Sequence, residues 1–335
     1  MSGAVARVRL PASDTLREIQ APVRQRLDTV VDEMRRIVTD DLPIIREVSS
    51  HLLQMRGKMF RPTLALLASA VSGTPEPRAT TLAAIVELMH LATLVHDDSV
   101  DHSVLRRGLP TVNSLFSHQV SVIMGDFLYS RALTALVALG DLPILRIVTD
   151  VANELTIGEM RQLGAVDALE FTEDDYFRLI RAKTASLIAG ACESGALCGA
   201  PQFRAPLAAY GDRLGMAFQI ADDILDYTED ESVTGKPGGL DLREHKVTLP
   251  LIAALPRVSA AGRQRIDALF AVEDPPDDLL VDVVGIVAEA GGIEAARQRG
   301  EQFANDAADA LRVLPEGSVR SALTDAIAYV LDRRS

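Results

Sequence analysis

The chain has 335 residues, a formal net charge of −13 and 48% hydrophobic residues. This length and apolar content favour a large buried core and argue against intrinsic disorder. We expect no nucleic-acid partner, because affinity for phosphate backbones comes from lysine and arginine, and this chain is acidic. We also expect a cytoplasmic protein, since no apolar run approaches the roughly 20 residues of a membrane span and the N-terminus lacks a signal-peptide core.

Helical periodicity dominates the chain. Apolar residues from Leu16 to Ile37 recur at spacings of three and four, which predicts an amphipathic helix. Similar patterns predict further helices over 61–72, 78–101, 120–139, 144–164, 173–199, 204–227, 247–255 and 292–313. Glycine and proline separate these segments, and strand-like alternation is rare. We therefore predict one all-α domain over 1–335, in which residues 1 to about 15 form a peripheral N-terminal arm.

The helix predicted over 78–101 ends in an acidic cluster, HDDSVD (96–101). Asp97 and Asp101 are four residues apart and therefore project from one helical face, with Asp98 beside them. The rest of this helix is largely apolar. Carboxylates are costly in such a setting, because like charges repel and buried ions lose hydration.

The helix predicted over 204–227 repeats the arrangement, with Asp222 and Asp226 four residues apart, Asp223 between them and Gln219 on the same face. A solvated acidic face is the simpler explanation for either cluster alone, but such a face normally carries interspersed lysines, and neither cluster contains one. Divalent cations would remove the electrostatic penalty. Oxygen ligands favour magnesium or calcium over zinc.

Magnesium usually keeps several waters and bridges to substrate phosphates, so a magnesium site should be accompanied by phosphate-binding cations. Arg106 and Arg107 directly follow the first acidic cluster, and Lys236 and Lys246 follow the second. Each of these side chains taken singly is more often ordinary solvated surface; their pairing with the aspartates favours a phosphate role. The candidate cations are Lys58, Arg61, Arg106, Arg107, Lys183, Lys236 and Lys246.

These motifs together resemble the trans-polyprenyl diphosphate synthases. The matching stretches are GKMFRP (57–62), ELMHLATLVHDDSVDHSVLRRG (87–108), KT (183–184) and FQIADDILDYTED…GKPGGLDLREHKVTLPL (218–251). Arg56 and His245 stand where the family usually has glycine, which affects the local shape of two loops. The resemblance implies an isoprenoid-synthase-type bundle of about ten core helices around a deep central cavity, usually as a homodimer, that adds isopentenyl diphosphate to an allylic diphosphate.

The resemblance also implies roles for individual residues. Three magnesium ions would be held directly by Asp97, Asp101 and Asp222, with Asp98, Asp223 and Asp226 in support. The allylic diphosphate would be held by Arg106, Lys183, Lys236 and Lys246. Isopentenyl diphosphate would be held by Lys58, Arg61, His90 and Arg107. Oxygen dipoles near the developing carbocation would come from Thr184 and Gln219.

Product length is set, in this family, by the cavity wall below the first acidic cluster. Ala92 and Thr93 lie five and four residues before Asp97, and bulky aromatic residues there would close the cavity early. Because one helical turn of about 5.4 Å matches roughly one isoprene unit, these small residues predict a product longer than C20, about C30 to C50. Residues that could form the floor, or equally the core, are Met89, Ile123, Met124 and Phe127. We expect transient membrane contact during release of such a product.

Four alternatives remain open from the sequence. A shorter-chain farnesyl or geranylgeranyl diphosphate synthase differs only in the cavity floor. A class I terpene cyclase shields its cation with aromatic faces, and this chain has no tryptophan. A metal phosphohydrolase could combine His96 and Asp97 with His51 and Asp126, but leaves the second cluster unexplained. An inactive partner subunit would typically have degraded aspartate motifs, whereas both are intact.

Overall fold

The computed structural model describes residues 12–55, 57–73, 75–163, 168–228 and 239–332. Their helices are α1 (Ala12–Gln20), α2 (Arg24–Val38), α3 (Pro43–Gln54), α4 (Phe60–Ala70), α5 (Pro77–Val100), α6 (Val112–Leu115), α7 (His118–Ala138), α8 (Leu142–Leu163), α9 (Glu173–Ile180), α10 (Ser186–Gly199), α11 (Arg204–Thr228), α12 (Leu240–Arg243), α13 (Leu249–Ala254), α14 (Ala260–Phe270), α15 (Asp277–Glu289), α16 (Gly292–Ala310) and α17 (Ser318–Leu331). Strands β1 (Leu105–Arg106) and β2 (Leu109–Pro110) pair antiparallel. The all-α prediction is confirmed.

Helix α5 runs through the interior of the bundle. It packs on α2, α4, α7 and α10, and its side chains are buried from Ala79 to Val95 on nearly every face. A helix that is apolar all round is stable only when it is surrounded by other helices. The first acidic cluster therefore stands at the C-terminal end of a core helix, where α5 emerges from the apolar interior.

Helix α10 approaches α4 closely because it carries glycine at the contact. A Cβ atom at Gly195 would lie 2.3 Å from the carbonyl oxygen of Ala65, and one at Gly199 would lie 2.2 Å from that of Ser69. Real Cβ atoms do not approach backbone oxygens this closely. The contact fixes the segment before α10 relative to the loop before α4.

A second apolar cluster lies towards the C-terminus and includes Tyr227, Leu251, Ile266 and Val283 from α11, α13, α14 and α15. Helix α16 packs along α11, and α17 packs against α1, so that helices near the two ends of the described chain lie side by side.

The structure differs from the predicted helices in three ways. The pattern from Leu16 to Ile37 is divided by a 3₁₀ turn at Ala21–Val23, where Pro22 cannot continue the hydrogen-bond ladder. The helix predicted over 173–199 contains a π-helical turn, Arg181–Ala185. Six helices lie outside the predicted segments, namely α3, α6, α12, α14, α15 and α17.

The sequence shows no uninterrupted apolar run long enough to span a membrane. Two described helices, α5 and α7, nevertheless have the length and mean hydropathy of a membrane span. In α5, 67% of the apolar window is buried inside the protein, whereas in α7 the share is 33%. Helix α5 is therefore accounted for as a core helix. The predicted arm over 1–15 falls largely outside the described residues, since α1 begins at Ala12.

Candidate active site

A cavity of about 1070 Å³ lies between α4, α5, α7, α8, α10 and α11. Asp97 of the first acidic cluster and Asp222 of the second both line it, although they come from different helices. The predicted site residues that line this cavity are Lys58, Arg61, His90, Ala92, Thr93, Asp97, Arg107, Lys183, Thr184, Gln219 and Asp222. The structure thus brings residues of every predicted motif before residue 229 to one space.

A second cavity, of about 470 Å³, shares Lys183, Thr184 and Gln219 with the first. Predicted site residues found only in this second lining are Asp101, Asp223 and Lys246. The aspartate clusters therefore contribute to two adjoining spaces. Together these offer room for two substrates around one set of carboxylates.

The shared residues are held by an irregular piece of helix. The π-helical turn Arg181–Ala185 inserts one extra residue between α9 and α10, and such turns re-aim side chains at functional sites. Thr184 Oγ1 donates a hydrogen bond of 2.7 Å to Oε1 of Gln219, and Lys183 Nζ lies 2.9 Å from Oε1 of Glu159. Oxygen dipoles and one cation are thereby fixed at the junction of the cavities.

Asp223 accepts hydrogen bonds that hold Gln219 in place at this junction. Gln219 Nε2 donates to its Oδ1 at 2.8 Å, and the Tyr176 hydroxyl donates to its Oδ2 at 2.6 Å. Burial, followed by the neighbouring charge of Asp241, raises the pKa of Asp223 to about 8. The carboxyl thus orients the Gln219 amide, which in turn orients Thr184.

Asp97 lines the larger cavity. Its pKa is raised to about 6, chiefly by burial; Lys183 opposes this shift, whereas the charges of Glu159 and Asp101 contribute to it. A partly buried carboxylate with acidic neighbours gains most from a cation. Within the described residues, no three His, Cys, Asp or Glu side chains stand close enough to hold a metal by themselves. Carboxylate oxygens of this kind suit magnesium, which keeps waters and completes its shell with phosphate oxygens.

Of the described residues predicted to bind metal or diphosphate, three line neither cavity, namely Asp98, Arg106 and Asp226. Asp98 is 4% exposed and accepts a 2.7 Å hydrogen bond from Nε of Arg106, so these two residues are paired with each other. Asp226 accepts hydrogen bonds from the backbone nitrogens of Leu240 and Asp241, 3.0 Å each, at the start of α12. Lys236 lies outside the described residues.

The predicted isopentenyl diphosphate residues form a basic wall. Arg61 Nη1 donates to Nε2 of His90 at 3.1 Å, and burial lowers the pKa of His90 well below its ordinary value, so this ring is a neutral acceptor. Arg107 Nη1 donates to the carbonyl oxygen of Met55 at 2.7 Å. Gly57 makes room for this guanidinium, since a Cβ atom there would lie 2.6 Å from it.

Sequence reasoning missed two acidic residues of the larger cavity. Glu87 is 6% exposed; burial raises its pKa, while Arg61 and Arg107 oppose the shift. Glu159, a residue of α8, forms an ion pair with Lys183. Glu159 could have been found, because it continues the helical face of Ala152 and Leu155, which also line the cavity.

The wall predicted to control product length is only partly as expected. Ala92 and Thr93 line the larger cavity, whereas Met89 is 1% exposed and lies in the core behind that lining. The floor suggested for Ile123 is wrong, because this side chain is 66% exposed on the outside of α7. Met124 is buried in the core, and Phe127 packs against the core without lining either cavity. Apolar lining of the same cavity also comes from Tyr129, Leu155 and Leu187.

The phosphohydrolase alternative finds no support in the arrangement. His51 Nε2 donates to the carbonyl oxygen of Pro110 at 2.8 Å, and it lines neither cavity. His96 does lie 3.3 Å from Asp126, but a metal site of that type requires the remaining histidine alongside them.

Comparison with known proteins is consistent with this geometry. The profile of the polyprenyl synthetase family matches residues 42–285. The chain is 39% identical to an all-trans-nonaprenyl-diphosphate synthase (geranyl-diphosphate specific) of Rhodobacter capsulatus, over 96% of this chain and 99% of that one. It is 39% identical to the octaprenyl diphosphate synthase of Escherichia coli strain K12, over 85% of this chain and 89% of that one.

A crystal structure of a polyprenyl synthase from Caulobacter crescentus CB15, complexed with calcium and isoprenyl diphosphate, superposes with a TM-score of 0.89. Its sequence identity is 31%, and the match covers 96% of this chain and 98% of that one. The fold, the converging motifs and these similarities agree. This chain belongs to the polyprenyl synthetase family and is a prenyltransferase, a trans-polyprenyl diphosphate synthase.

Proposed function

We propose that this enzyme condenses isopentenyl diphosphate with an allylic diphosphate to give an all-trans polyprenyl diphosphate. The observation that carries the proposal is the convergence of Asp97 and Asp222 on one cavity that is also lined by Lys58, Arg61 and Lys183. Carboxylates and cations lining one space are suited to a diphosphate bound through metal ions. The apolar part of the same lining suits a prenyl chain.

On the allylic side, magnesium ions would be held by Asp97, Asp101 and Asp222, three ions in all, and when bound they supply Lewis-acid stabilisation of the departing diphosphate. Lys183 and Lys246 add positive charge where the leaving group gathers its negative charge. Arg106 and Lys236 complete the set of residues proposed to hold the allylic diphosphate. Asp98, Asp223 and Asp226 would support the three metal-binding aspartates.

The allylic cation formed by loss of diphosphate would be stabilised by oxygen dipoles of Thr184 and Gln219, which are hydrogen-bonded to each other. The double bond of isopentenyl diphosphate then attacks this cation. A proton leaves the new chain and passes to the released diphosphate. None of these steps requires a nucleophilic side chain.

On the other side of the cavity, isopentenyl diphosphate would be bound by Lys58, Arg61, His90 and Arg107. The Arg61 guanidinium can offer a planar pair of donors to a phosphate. Arg107, in the turn between β1 and β2, provides a second guanidinium. His90 remains neutral and holds Arg61 in place. These four residues come from α4, α5 and the loops beside them.

We propose a product longer than C20, about C30 to C50, because the small residues Ala92 and Thr93 line the cavity next to Asp97, and one helical turn of about 5.4 Å matches roughly one isoprene unit. The names of the nonaprenyl and octaprenyl relatives support this range. Quinone side chains are a suitable end use for such products.

We propose further that the enzyme is a cytoplasmic homodimer with transient membrane contact during product release. The support is the outer face of α7 and α8, where Ile123, Val137 and Leu142 are 66%, 64% and 73% exposed. Exposed apolar side chains along two neighbouring helices are typical of an interface.

The test is incubation of the purified chain with radiolabelled isopentenyl diphosphate, magnesium and each allylic primer in turn, followed by chain-length chromatography. We expect polyprenyl diphosphates from the chain alone, and a fall of at least about 100-fold in kcat for Asp222→Asn. Asp150→Asn, an equivalent change at an exposed position of α8, should retain full activity.

Three results would contradict the proposal. Cyclic hydrocarbons formed without isopentenyl diphosphate would identify a terpene cyclase. Turnover that appears only after addition of another polypeptide would identify a subunit of a heteromeric enzyme. Normal turnover by Asp222→Asn would remove the carboxylate cluster from the mechanism.

A further inference from the structure

Gln20, the last residue of α1, is a polar side chain with 6% exposure. Its Nε2 donates to the carbonyl oxygen of Lys58 at 3.0 Å and to Oγ1 of Thr63 at 3.3 Å. Arg24 Nη1 donates to its Oε1 at 3.5 Å, which orients the amide so that the nitrogen faces Lys58. The N-terminal helix is therefore hydrogen-bonded to the loop that carries Lys58.

That loop, residues 57–59, has a cavity on each side. It lines the larger active-site cavity and also a cavity of about 370 Å³ against α1 and α2. Met59 has a φ of 54°, a left-handed conformation that non-glycine residues keep only when their surroundings hold them. Thr63 Oγ1 donates to the carbonyl oxygen of Met59 at 2.7 Å. Gln20 and Thr63 together fix two successive carbonyl groups of this loop.

The side chain of Lys58 contacts Tyr329, a residue near the other end of the described chain. Its Nζ lies 5.8 Å from the ring centroid of Tyr329, a buried residue of α17. An ammonium over an aromatic face is attracted by the ring quadrupole. Because α17 packs against α1, the backbone and the ammonium of Lys58 are held by one pair of helices.

We propose that Gln20 is a positioning residue for Lys58, and that it sets the affinity for isopentenyl diphosphate through this lysine. The inference rests on the proposed function, which assigns Lys58 to that substrate. Gln20 does not line the active-site cavity, so its effect must pass through the loop. Ionisation of the allylic diphosphate, at the aspartate side, should not depend on it.

The test compares Gln20→Leu, which keeps the side-chain size and removes the donor, with Gln25→Leu, the same change at an exposed position of α2. For Gln20→Leu we expect KM for isopentenyl diphosphate to rise about threefold to tenfold, as loss of one hydrogen bond predicts. The kcat and the KM for the allylic substrate should stay within about twofold. Gln25→Leu should match the unmodified enzyme.

A double-mutant cycle separates positioning from general weakening. In a Lys58→Met background, Gln20→Leu should cause no further rise in KM for isopentenyl diphosphate, because both changes act through one group. Additive effects, or a parallel change in kcat and both KM values, would overturn the inference. If Gln20→Leu does not fold, the same measurements on Thr63→Val decide the question, with Thr63→Ser as the conservative rescue.

The cycle also distinguishes the two proposals. If Lys58→Met raises KM for isopentenyl diphosphate and Gln20→Leu does not, the positioning role is refuted while the proposed function stands. If Lys58→Met itself leaves that KM unchanged, the substrate assignment of Lys58 is refuted, and the inference about Gln20 is refuted with it.

Discussion

At the scale of single residues, the cavity wall beside Asp97 is built from small side chains on α5. Ala92 is 1% exposed and lines the cavity, so any larger side chain there must enter the space available to the growing chain. Position 92 is therefore a direct test of how the cavity limits its product.

Ala92→Phe should shorten the product to about C20 or less, because the ring would close the cavity within roughly one helical turn, 5.4 Å, of Asp97. Product length is read by chromatography of the dephosphorylated prenyl alcohols. Ala260→Phe, at an exposed position of α14, is the matched control and should leave the product unchanged. An unaltered chain length in Ala92→Phe would show that the wall lies elsewhere.

The sequence predicted the aspartates that share a helical face, since a spacing of four is visible without a structure. It did not predict that Asp226 would bind the start of α12, because that contact depends on how a later segment folds back. Glu87 was missed for a related reason. A single acidic residue in an apolar helix has no pattern, and only the packing shows that the charges of Arg61 and Arg107 act on its pKa.

At the scale of helices, the predictions located the long apolar helices of the core and missed six others. Size of the apolar residues was not the reason, because α17 buries Leu323, Ile327 and Val330 at spacings of four and three and could have been predicted from this pattern. The π-helical turn at Arg181–Ala185 was invisible, since no residue type marks one extra residue in a helix. Proline marked the break after α1, but its effect on the pattern was underestimated.

Alanine substitution should change the free energy of unfolding in opposite directions at two glycines, one packed between α10 and α4 and one exposed on α15. Gly195→Ala should reduce the free energy of unfolding by about 1–3 kcal/mol, because the new Cβ atom must displace the backbone of α4. Gly285→Ala should increase it by about 0.5–1 kcal/mol, since Gly285 lies within α15 with no atom near its missing side chain. Urea denaturation monitored by circular dichroism measures both, and equal effects would contradict the packing argument.

At the scale of the whole molecule, acidic groups gathered at the junction of the two cavities should make stability depend on pH. Burial raises the pKa to about 6 for Asp97, about 7 for Asp241 and about 8 for Asp223. In the unfolded chain these groups have ordinary pKa values near 4. Between those limits the folded state binds more protons than the unfolded state, so stability falls as pH rises.

We therefore expect the free energy of unfolding of the metal-free protein to fall by about 2 kcal/mol or more between pH 5 and pH 8. Denaturant titrations with a chelator at several pH values measure this change. Addition of magnesium and inorganic diphosphate should flatten the dependence, because bound cations favour the ionised carboxylates. A stability that rises with pH over this interval would contradict the burial of these aspartates.

The pairing of α1 with α17 has a practical consequence for work with this enzyme. Gln20 of α1 and Tyr329 of α17 both contact Lys58, so a change in the packing of either helix should reach a substrate loop. A substitution in α17 is therefore no more remote from turnover than one in α1. Kinetic constants should be measured before a variant in either helix is treated as silent.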